Sequence, residues 1–149
     1  MRVSVNAPSL MRFEGGTTSL AARLGAARQM ADAGYRIGLT IAPIMAVPGW
    51  REDYEALLDQ AADAVGNRPG ADLTVELITH RFTSGSKEVL TGWYPGTALE
   101  MDEATRAQKR TKYGSLKYVY GPGEMAQMKS FFDAELPRRL PGAHVLYWT

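Results

Sequence analysis

Basic residues and tyrosines are interleaved in one segment of the last third of the chain. Residues 104–120 contain no acid, and their five cations are Arg106, Lys109, Arg110, Lys112 and Lys117. Because the whole chain has a net charge of only +1, the remaining residues are net negative and the positive charge is local. Lysine and arginine neutralise phosphates, and exposed aromatic rings stack on nucleobases. This combination is typical of a surface that contacts nucleic acid.

A tight hairpin turn is predicted around Gly114, which suits the first central position of a two-residue type II′ loop. The resulting hairpin spans residues 109–120 and places Lys112 opposite Lys117, with Arg110 on the same face. The other face then carries Tyr113, Leu116, Tyr118 and Tyr120. Two facing lysines repel each other, and an anionic partner would relieve that repulsion.

Two interpretations of this hairpin remain open. In the first, it enters a DNA groove or lies along a backbone, with its cations on phosphates and its tyrosines available to stack on a displaced base. In the second, it is a solvated hairpin whose tyrosines pack on the domain and whose cations keep an edge soluble. The first predicts binding to duplex DNA that depends steeply on salt.

A second group of polar residues lies at the end of an apolar stretch in the middle of the chain. His80 and Arg81 follow a strand-like pattern and could therefore contact substrate or phosphate at the end of a sheet. The alternative for His80 is a hydrogen bond with a neighbouring carbonyl. Glu76 lies inside the apolar stretch, where an unpaired carboxylate is costly, so a salt bridge to Arg36 or Arg81 is expected.

Cysteine is absent from the sequence, and only two histidines, His80 and His144, are present. This composition excludes disulfides, thiolate zinc sites, catalytic thiols and a cysteine-bound iron–sulfur cluster within this chain. The acids Glu100, Asp102 and Glu103 are predicted to form a solvated turn. We therefore predict no metal site from these residues alone.

Strand and helix patterns alternate in the first half of the chain. Strands are expected at 2–6, 37–47 and 72–82, and helices at 20–33 and 50–65, with a break at 67–70. The almost continuously apolar 37–47 stretch predicts a strand buried on both faces. The alternation predicts βαβ units and a parallel sheet, whose carboxyl-terminal ends would carry Asn6, the Ala42-Pro43 pair and His80-Arg81.

The second half of the chain is less regular. A short helix is expected at 84–90, a short strand at 99–101, a helix at 123–136 and a last strand at 143–148. The helix would bury Met125, Met128, Phe132 and Leu136. With 45% hydrophobic and 22% charged residues, the composition is typical of one globular domain over residues 1–149.

Neither a signal peptide nor a membrane span is predicted. The chain enters a strand pattern at once, and no apolar run approaches the roughly 20 residues that cross a bilayer. A cytoplasmic protein without a membrane partner is expected.

Several long segments together resemble the carboxy-terminal half of the spore photoproduct lyase family. The matching segments are Ser4-Val5-Asn6, EGGTTSLAARLGAARQMADAGY, IAPIMAVPGW, ELITHRFTSGSKEVL, LEMDEATR and KYGSLKYVY. The resemblance implies an α/β fold that is half of a partial (β/α) TIM-type barrel, with mostly parallel strands and a basic β-hairpin. It also implies a radical S-adenosylmethionine lyase that uses a [4Fe–4S] cluster to revert the thymine dimer of ultraviolet-damaged bacterial DNA.

The resemblance further implies roles for individual residues. Ser4 and Asn6 would lie near the cofactor ribose, and the Ala42 backbone near its adenine. Contacts to the DNA lesion are expected from Lys109, Arg110, Lys112, Tyr113 and Lys117 of the hairpin, together with His80 and Arg81.

One part of the family pattern is missing from this chain. The cluster motif CxxxCxxC and the hydrogen-donating cysteine belong to the family's amino-terminal half, and this sequence contains no cysteine. We therefore expect the chain to be inactive alone and to need an amino-terminal half, as a fragment or the product of a split gene. The alternative is a degenerate relative that is a cluster-free DNA-binding module.

Overall fold

The computed structural model describes residues 1–66, 68 and 72–149. Four strands form one sheet in the order β1-β2-β3-β6, and every pairing in it is parallel. These strands are β1 (Arg2–Val5), β2 (Ile37–Ile44), β3 (Leu73–Thr79) and β6 (His144–Trp148). The α/β class and the parallel sheet expected from the alternating patterns are confirmed.

Helices pack on one face of this sheet. They are α1 (Leu20–Asp32), α2 (Trp50–Ala61) and α4 (Pro122–Arg139), and a π-helical turn over Ala62–Gly66 extends α2. Ser19 caps α1 by accepting a hydrogen bond from the backbone N–H of Ala22 at 3.2 Å. The predicted break at 67–70 lies mostly outside the described residues, which include only Arg68 of that stretch.

Strand residues alternate between an apolar face and a polar face. Val3, Val5 and their equivalents on β2 and β3 point into the core against the helices. The opposite face carries Ser4, Thr40 and Glu76, none of which is fully buried. The prediction that β2 is buried on both faces is therefore wrong, because no helical layer covers this second face within the described residues.

Glu76 has a different partner from either one predicted. Its carboxylate pairs with Arg2 Nη1 at 2.8 Å and accepts a hydrogen bond from Thr40 Oγ1 at 3.2 Å. Arg36 instead pairs with Asp72, and Arg81 donates to Thr149 Oγ1. Parallel pairing sets Ser4, Thr40 and Glu76 side by side on the polar face, and Arg2 lies on the same face two residues before Ser4. Arg36 and Arg81 instead lie beyond the ends of strands β2 and β3.

Helix α4 buries Met128, Phe132 and Leu136 as predicted, and Met125 packs partly buried against the same core. The strand predicted at 99–101 is wrong, because this segment has no ladder partner and instead contributes Met101 to a small separate core. That core also contains Phe82 and Tyr118, with Leu90, Leu99 and Leu116 packed around it. It connects α3 (Ser84–Trp93) to the hairpin.

The hairpin consists of β4 (Ala107–Arg110) and β5 (Leu116–Val119), which pair antiparallel. Its predicted register is wrong: Lys117 lies opposite Lys109, and Arg110 lies opposite Leu116. Lys112 is in the loop, where Gly114 has a φ of 83° and its N–H donates to the Thr111 carbonyl at 3.0 Å. This geometry matches a three-residue loop with a glycine bulge, which needs a positive φ as much as the predicted type II′ turn does.

No helix among the described residues is long and apolar enough to cross a membrane.

Candidate functional site

The carboxyl-terminal ends of the strands bring three predicted positions to one edge of the sheet. Asn6 follows β1, and its Nδ2 donates to the Pro43 carbonyl near the end of β2 at 3.0 Å. His80 follows β3, and its backbone N–H donates to the Ile44 carbonyl at 2.8 Å. Residues from all three strands therefore meet at the edge where parallel α/β sheets bind ligands.

Asn6 is buried and engaged by protein groups. Its Oδ1 accepts from the backbone N–H of Ala7 at 2.9 Å and from the Tyr54 hydroxyl at 3.2 Å. Tyr54 is itself buried, and its oxygen accepts from the Met45 N–H at 3.0 Å. Burial raises the pKa of Tyr54 above its ordinary value although the hydrogen bond from Met45 opposes the rise. Tyr54 lies within the helix predicted at 50–65, and the sequence did not indicate its role in holding Asn6.

Ser4 and Ala42 lie in more open surroundings than Asn6. Ser4 is exposed on the polar face of the sheet, and its carbonyl accepts from Arg23 Nη1 at 3.2 Å. Ala42 is half-buried, and the peptide bond that joins it to Pro43 is cis. A ligand at this edge could therefore reach the Ser4 hydroxyl and the Ala42 backbone.

A buried arginine lies beside His80, although the sequence placed it only among the cations of the basic segment. Arg106 is 8% exposed and donates from Nη1 to the His80 carbonyl at 3.2 Å, while its Nη2 lies 3.3 Å from His80 Nδ1. Its Nε donates to Glu100 Oε2 at 3.0 Å, and its guanidinium carbon lies 3.8 Å from the ring centroid of Tyr120. We call Arg106, His80, Glu100 and Tyr120 the arginine cluster.

The arginine cluster corrects two expectations. Arg106 was counted with the surface cations of the basic segment, but its charge is paired with Glu100 inside the protein. Glu100 was predicted to be solvated, yet it holds this arginine while remaining half exposed. The contacts join positions 80, 100, 106 and 120, which lie too far apart along the chain for a local pattern to reveal them.

Burial and charge shift the pKa values within this cluster. Burial and, to a smaller extent, the positive charge of Arg106 together lower the pKa of His80 to about 4, and the negative charge of Glu100 opposes both. Partial burial favours a higher pKa for Glu100, but hydrogen bonds from Arg106, Thr105 and the Asp102 N–H together bring it below the usual value. Burial raises the pKa of Tyr120, against a hydrogen bond from the Ala46 N–H. His80 is therefore neutral near pH 7.

A cavity of about 420 Å³ opens beside the arginine cluster. Arg106, Glu100, Tyr120 and Thr105 line one part of it, and the residues that follow β2 line another, from Met45 to Pro48. Its volume lies within the range of small-molecule sites. The cavity therefore combines an apolar wall with a few convergent polar groups at the carboxyl-terminal edge of the sheet.

Most cations of the hairpin are exposed to solvent, whereas two of its three tyrosines are buried. Lys109, Arg110 and Lys112 are exposed, and Lys117 is half-buried. Tyr118 and Tyr120 are 6% and 8% exposed, because they pack on the domain as the second interpretation of the hairpin expects. Only the loop residue Tyr113, at 89% exposure, is free to stack on a partner.

The residues present do not suit an iron–sulfur cluster, because the chain has no cysteine. Among the described residues, no group of three or more histidine, cysteine, aspartate or glutamate side chains could hold a metal ion. S-adenosylmethionine is a better fit, because the exposed residue Ser4 and the half-buried residue Ala42 lie on neighbouring parallel strands, where they offer a hydroxyl and a backbone segment.

Comparisons with known proteins agree along the whole chain. The family model described as "Spore photoproduct lyase" matches residues 1–149. Spore photoproduct lyase of Geobacillus sp. (strain Y412MC61) is 41% identical over 149 residues, which are 99% of this chain and 44% of that protein. The corresponding enzyme of Bacillus subtilis (strain 168) is 38% identical with the same coverage. The chain thus spans less than half the length of these curated relatives.

Solved structures give the same result. A spore photoproduct lyase complexed with dinucleoside spore photoproduct superposes with a TM-score of 0.93 at 38% identity, covering 99% of this chain and 44% of that one. A double mutant with bound AdoMet and dinucleoside spore photoproduct superposes equally well, with the same identity and coverage.

Proposed function

The chain belongs to the spore photoproduct lyase family, and on that basis we propose that it is the carboxy-terminal part of a radical S-adenosylmethionine enzyme that repairs ultraviolet-induced thymine lesions in DNA. The observation that carries the proposal is the TM-score of 0.93, over 99% of this chain, with a lyase solved in complex with dinucleoside spore photoproduct. In this assignment the four-stranded sheet is half of a partial barrel, and the protein acts in the cytoplasm.

The strand ends would form part of the cofactor site. Ser4 and the Ala42 backbone would contact S-adenosylmethionine, and Asn6 would border it while holding the Pro43 carbonyl. When bound, S-adenosylmethionine supplies the hydrogen-abstracting chemistry of the reaction. The chain's own contribution is to bind and orient S-adenosylmethionine and DNA. It offers no thiolate to an iron–sulfur cluster and no thiol as a hydrogen donor.

The hairpin would contact the DNA. Lys109, Lys112 and Lys117 would neutralise phosphates, together with Arg110 and, at the edge of the sheet, Arg81. Tyr113 would stack on a base near the lesion, because its ring is free at the hairpin tip. His80 would face the lesion side of the edge as a neutral group, positioned by Arg106.

Reconstitution with a separate amino-terminal half tests this proposal. The amino-terminal part of the Geobacillus lyase, which carries the cluster motif in this assignment, would be purified anaerobically and mixed with this chain. Conversion of dinucleoside spore photoproduct to two thymidines would be followed by chromatography. We expect turnover only in the mixture, with neither component active alone. A matched control replaces this chain with its Ser4→Ala variant, whose turnover should be reduced.

A second candidate function is a cluster-free DNA-binding module, which the absence of cysteine favours. The two candidates differ in the reconstitution experiment: a binding module would bind DNA but would not restore turnover with any amino-terminal half. In a genome, a neighbouring reading frame that encodes CxxxCxxC would support the split enzyme, and its absence would support the module.

A further inference from the structure

An open groove of about 600 Å³ adjoins the cavity beside the arginine cluster and has no role in the functions described above. It runs between the segment after β1 and the carboxyl-terminal end of α3. Its walls are formed mainly by aromatic and aliphatic side chains, including Phe13, Leu90, Trp93, Tyr94 and Pro95, with Arg12 at one side.

Two large aromatic side chains at this groove are unusually exposed. Trp93 is 76% exposed and Tyr94 is 59% exposed, and α3 contributes no fully buried residue to the fold. These two rings and the apolar side chains of the groove lie together, and exposed apolar surface that is rimmed by polar residues marks ligand-binding grooves and other interaction sites. Since Trp93 and Tyr94 do not support the core, their exposure calls for a ligand that offers a flat apolar face.

The charges along the groove favour an anionic ligand. Arg12 is its only charged lining residue within the described part of the chain, and its guanidinium carbon lies 4.8 Å from the ring centroid of Phe13. The hairpin, which packs on the same small core as the groove, adds the exposed cations Lys109, Arg110 and Lys112. Aromatic rings beside cations, without a carboxylate, are the features that bind single-stranded nucleic acid.

The groove and the hairpin are built on the same small core. Leu90 and Leu99 line the groove and also pack against Phe82 and Tyr118, and a β-bridge joins Phe82 to Tyr118 of β5. The hairpin and the groove therefore belong to one structural unit, so a DNA strand bound by the hairpin could also reach the groove.

We propose that this groove binds an unstacked nucleobase of the DNA strand held by the hairpin, with Trp93 and Tyr94 stacking on the base and Arg12 contacting a phosphate. The proposal rests on the proposed function, because it takes DNA as the partner of the hairpin. It adds a base-binding subsite away from Tyr113 that adjoins the cavity at the strand ends, since the two share Arg12, Phe13, Ala98 and Leu99 as lining residues.

A protein segment is the other occupant to consider. The sheet already offers such a segment another surface at the open edge of β1, lined by Met1, Arg2, Val3 and Ser4 together with α1. That surface shares no lining residue with the aromatic groove. A protein segment that extends the sheet would therefore bind at the edge of β1 and would leave the groove open.

Fluorescence quenching of Trp93 measures binding at the groove directly. The other two tryptophans are less accessible to a bound base, because Trp50 is buried and Trp148 is partly buried. Fluorescence of the full chain would be titrated with a ten-nucleotide oligothymidylate. We expect quenching of Trp93 that is absent in Trp93→Phe. Trp93→Ala should weaken binding by roughly 5-fold to 150-fold, the range for loss of one stacked base, and Trp93→Phe should retain most of the affinity. The salt dependence should stay unchanged in both variants, because stacking releases no counterions.

Tyr35 is a matched control, since it is 59% exposed like Tyr94 but lies between α1 and β2. Tyr94→Ala should weaken binding and Tyr35→Ala should not. The proposal is overturned if oligothymidylate binds without Trp93 quenching and without dependence on Trp93. In that case the DNA-binding role of the hairpin survives and only the base subsite is lost.

Two other results would also overturn the proposal. An absence of any oligonucleotide binding by the parent chain would remove both the subsite and the DNA-binding role. Protection of Trp93 from acrylamide by the amino-terminal part of the Geobacillus lyase, with DNA affinity of that complex independent of Trp93, would identify a protein as the occupant.

Discussion

His80 combines burial with an adjacent positive charge, and this combination makes the stability of the protein depend on pH. Its pKa is lowered to about 4 in the folded protein, whereas an unfolded histidine has a pKa near 6.5. Between these values the unfolded chain binds a proton more readily than the folded one. Stability attributable to His80 is therefore fully present above about pH 6.5 and is lost as the pH falls toward 4.

We predict that acidification from pH 7 to pH 4 costs up to about 3 kcal/mol of unfolding free energy through His80 alone. Urea unfolding at several pH values would measure this dependence in the parent and in His80→Gln, which should lack that part of the loss. Proton NMR would follow His80 directly, because His144 is the only other imidazole. A resonance of His80 that titrates near pH 6.5 would contradict the prediction.

Arg106 is the residue on which the arginine cluster depends. We predict that Arg106→Met lowers the unfolding free energy by about 1–3 kcal/mol, because Glu100 and His80 lose a buried hydrogen-bond donor. The same substitution should raise the pKa of His80, because a nearby positive charge disfavours its protonated form. Urea unfolding and the NMR titration of His80 would check the two effects.

Arg81→Met is the matched control for this substitution. Arg81 lies at the same edge but is exposed and donates to Thr149 Oγ1. Its removal should change stability by no more than about 0.5 kcal/mol and leave the His80 titration in place. Equal effects of the two substitutions would mean that the cluster has no special role.

At the scale of elements, the hairpin places two lysines opposite each other. Lys109 and Lys117 face across β4 and β5, and two like charges in such a pair disfavour folding unless an anion lies between them. We predict that replacing both with alanine flattens the slope of log affinity for duplex DNA against log salt by up to roughly 2, and that the hairpin remains folded. Fluorescence anisotropy at several salt concentrations would measure the slope.

Two variants sharpen the hairpin experiment. Arg28 and Lys129 are exposed cations on helices α1 and α4, so their double replacement with alanine should leave the slope unchanged. Tyr113→Ala should also leave the slope unchanged but reduce any preference for damaged over intact duplex. An unaltered slope in the double lysine variant would favour the interpretation of a merely solvated hairpin.

At the scale of the whole molecule, the chain has a protein scaffold for ligands but lacks the chemistry for an iron–sulfur cluster. We predict that the purified chain remains colourless after anaerobic reconstitution with iron and sulfide, because it offers no thiolate ligand. Absorption spectra and iron analysis would test this. The amino-terminal part of the Geobacillus lyase, treated identically, is the control that should turn brown. A brown product from this chain would refute the prediction.

The uncovered sheet face is also a property of the whole molecule. Ser4, Thr40 and Glu76 lie on this face, whereas their strand neighbours are buried under the helices. The Arg2–Glu76 pair and the Thr40 hydrogen bond satisfy the Glu76 carboxylate on the open face. In half of a barrel that surrounds a ligand, the face toward the ligand would be polar. The polar open face of this sheet therefore supports the partial barrel in the proposed function.

Much of the fold could be predicted from the sequence because it depends on local periodicity. The helices α1, α2 and α4 and the four sheet strands lie close to their predicted positions, since apolar spacing and caps act within a few residues. The parallel sheet followed from alternation of these elements. The meeting of Asn6, Pro43 and His80 then followed from parallel geometry alone.

The tertiary structure decided what depends on contacts between distant residues. The register of the hairpin could not be derived from Gly114, because both possible turns need a positive φ there. The observed register instead accompanies burial of Tyr118 against Phe82, at 5.3 Å between ring centroids. Likewise, Arg106 resembles the neighbouring surface cations in sequence, and only folding brings Glu100, His80 and Tyr120 around it. A charge in a sequence shows its sign, but burial and partners decide whether it binds a ligand or the protein itself.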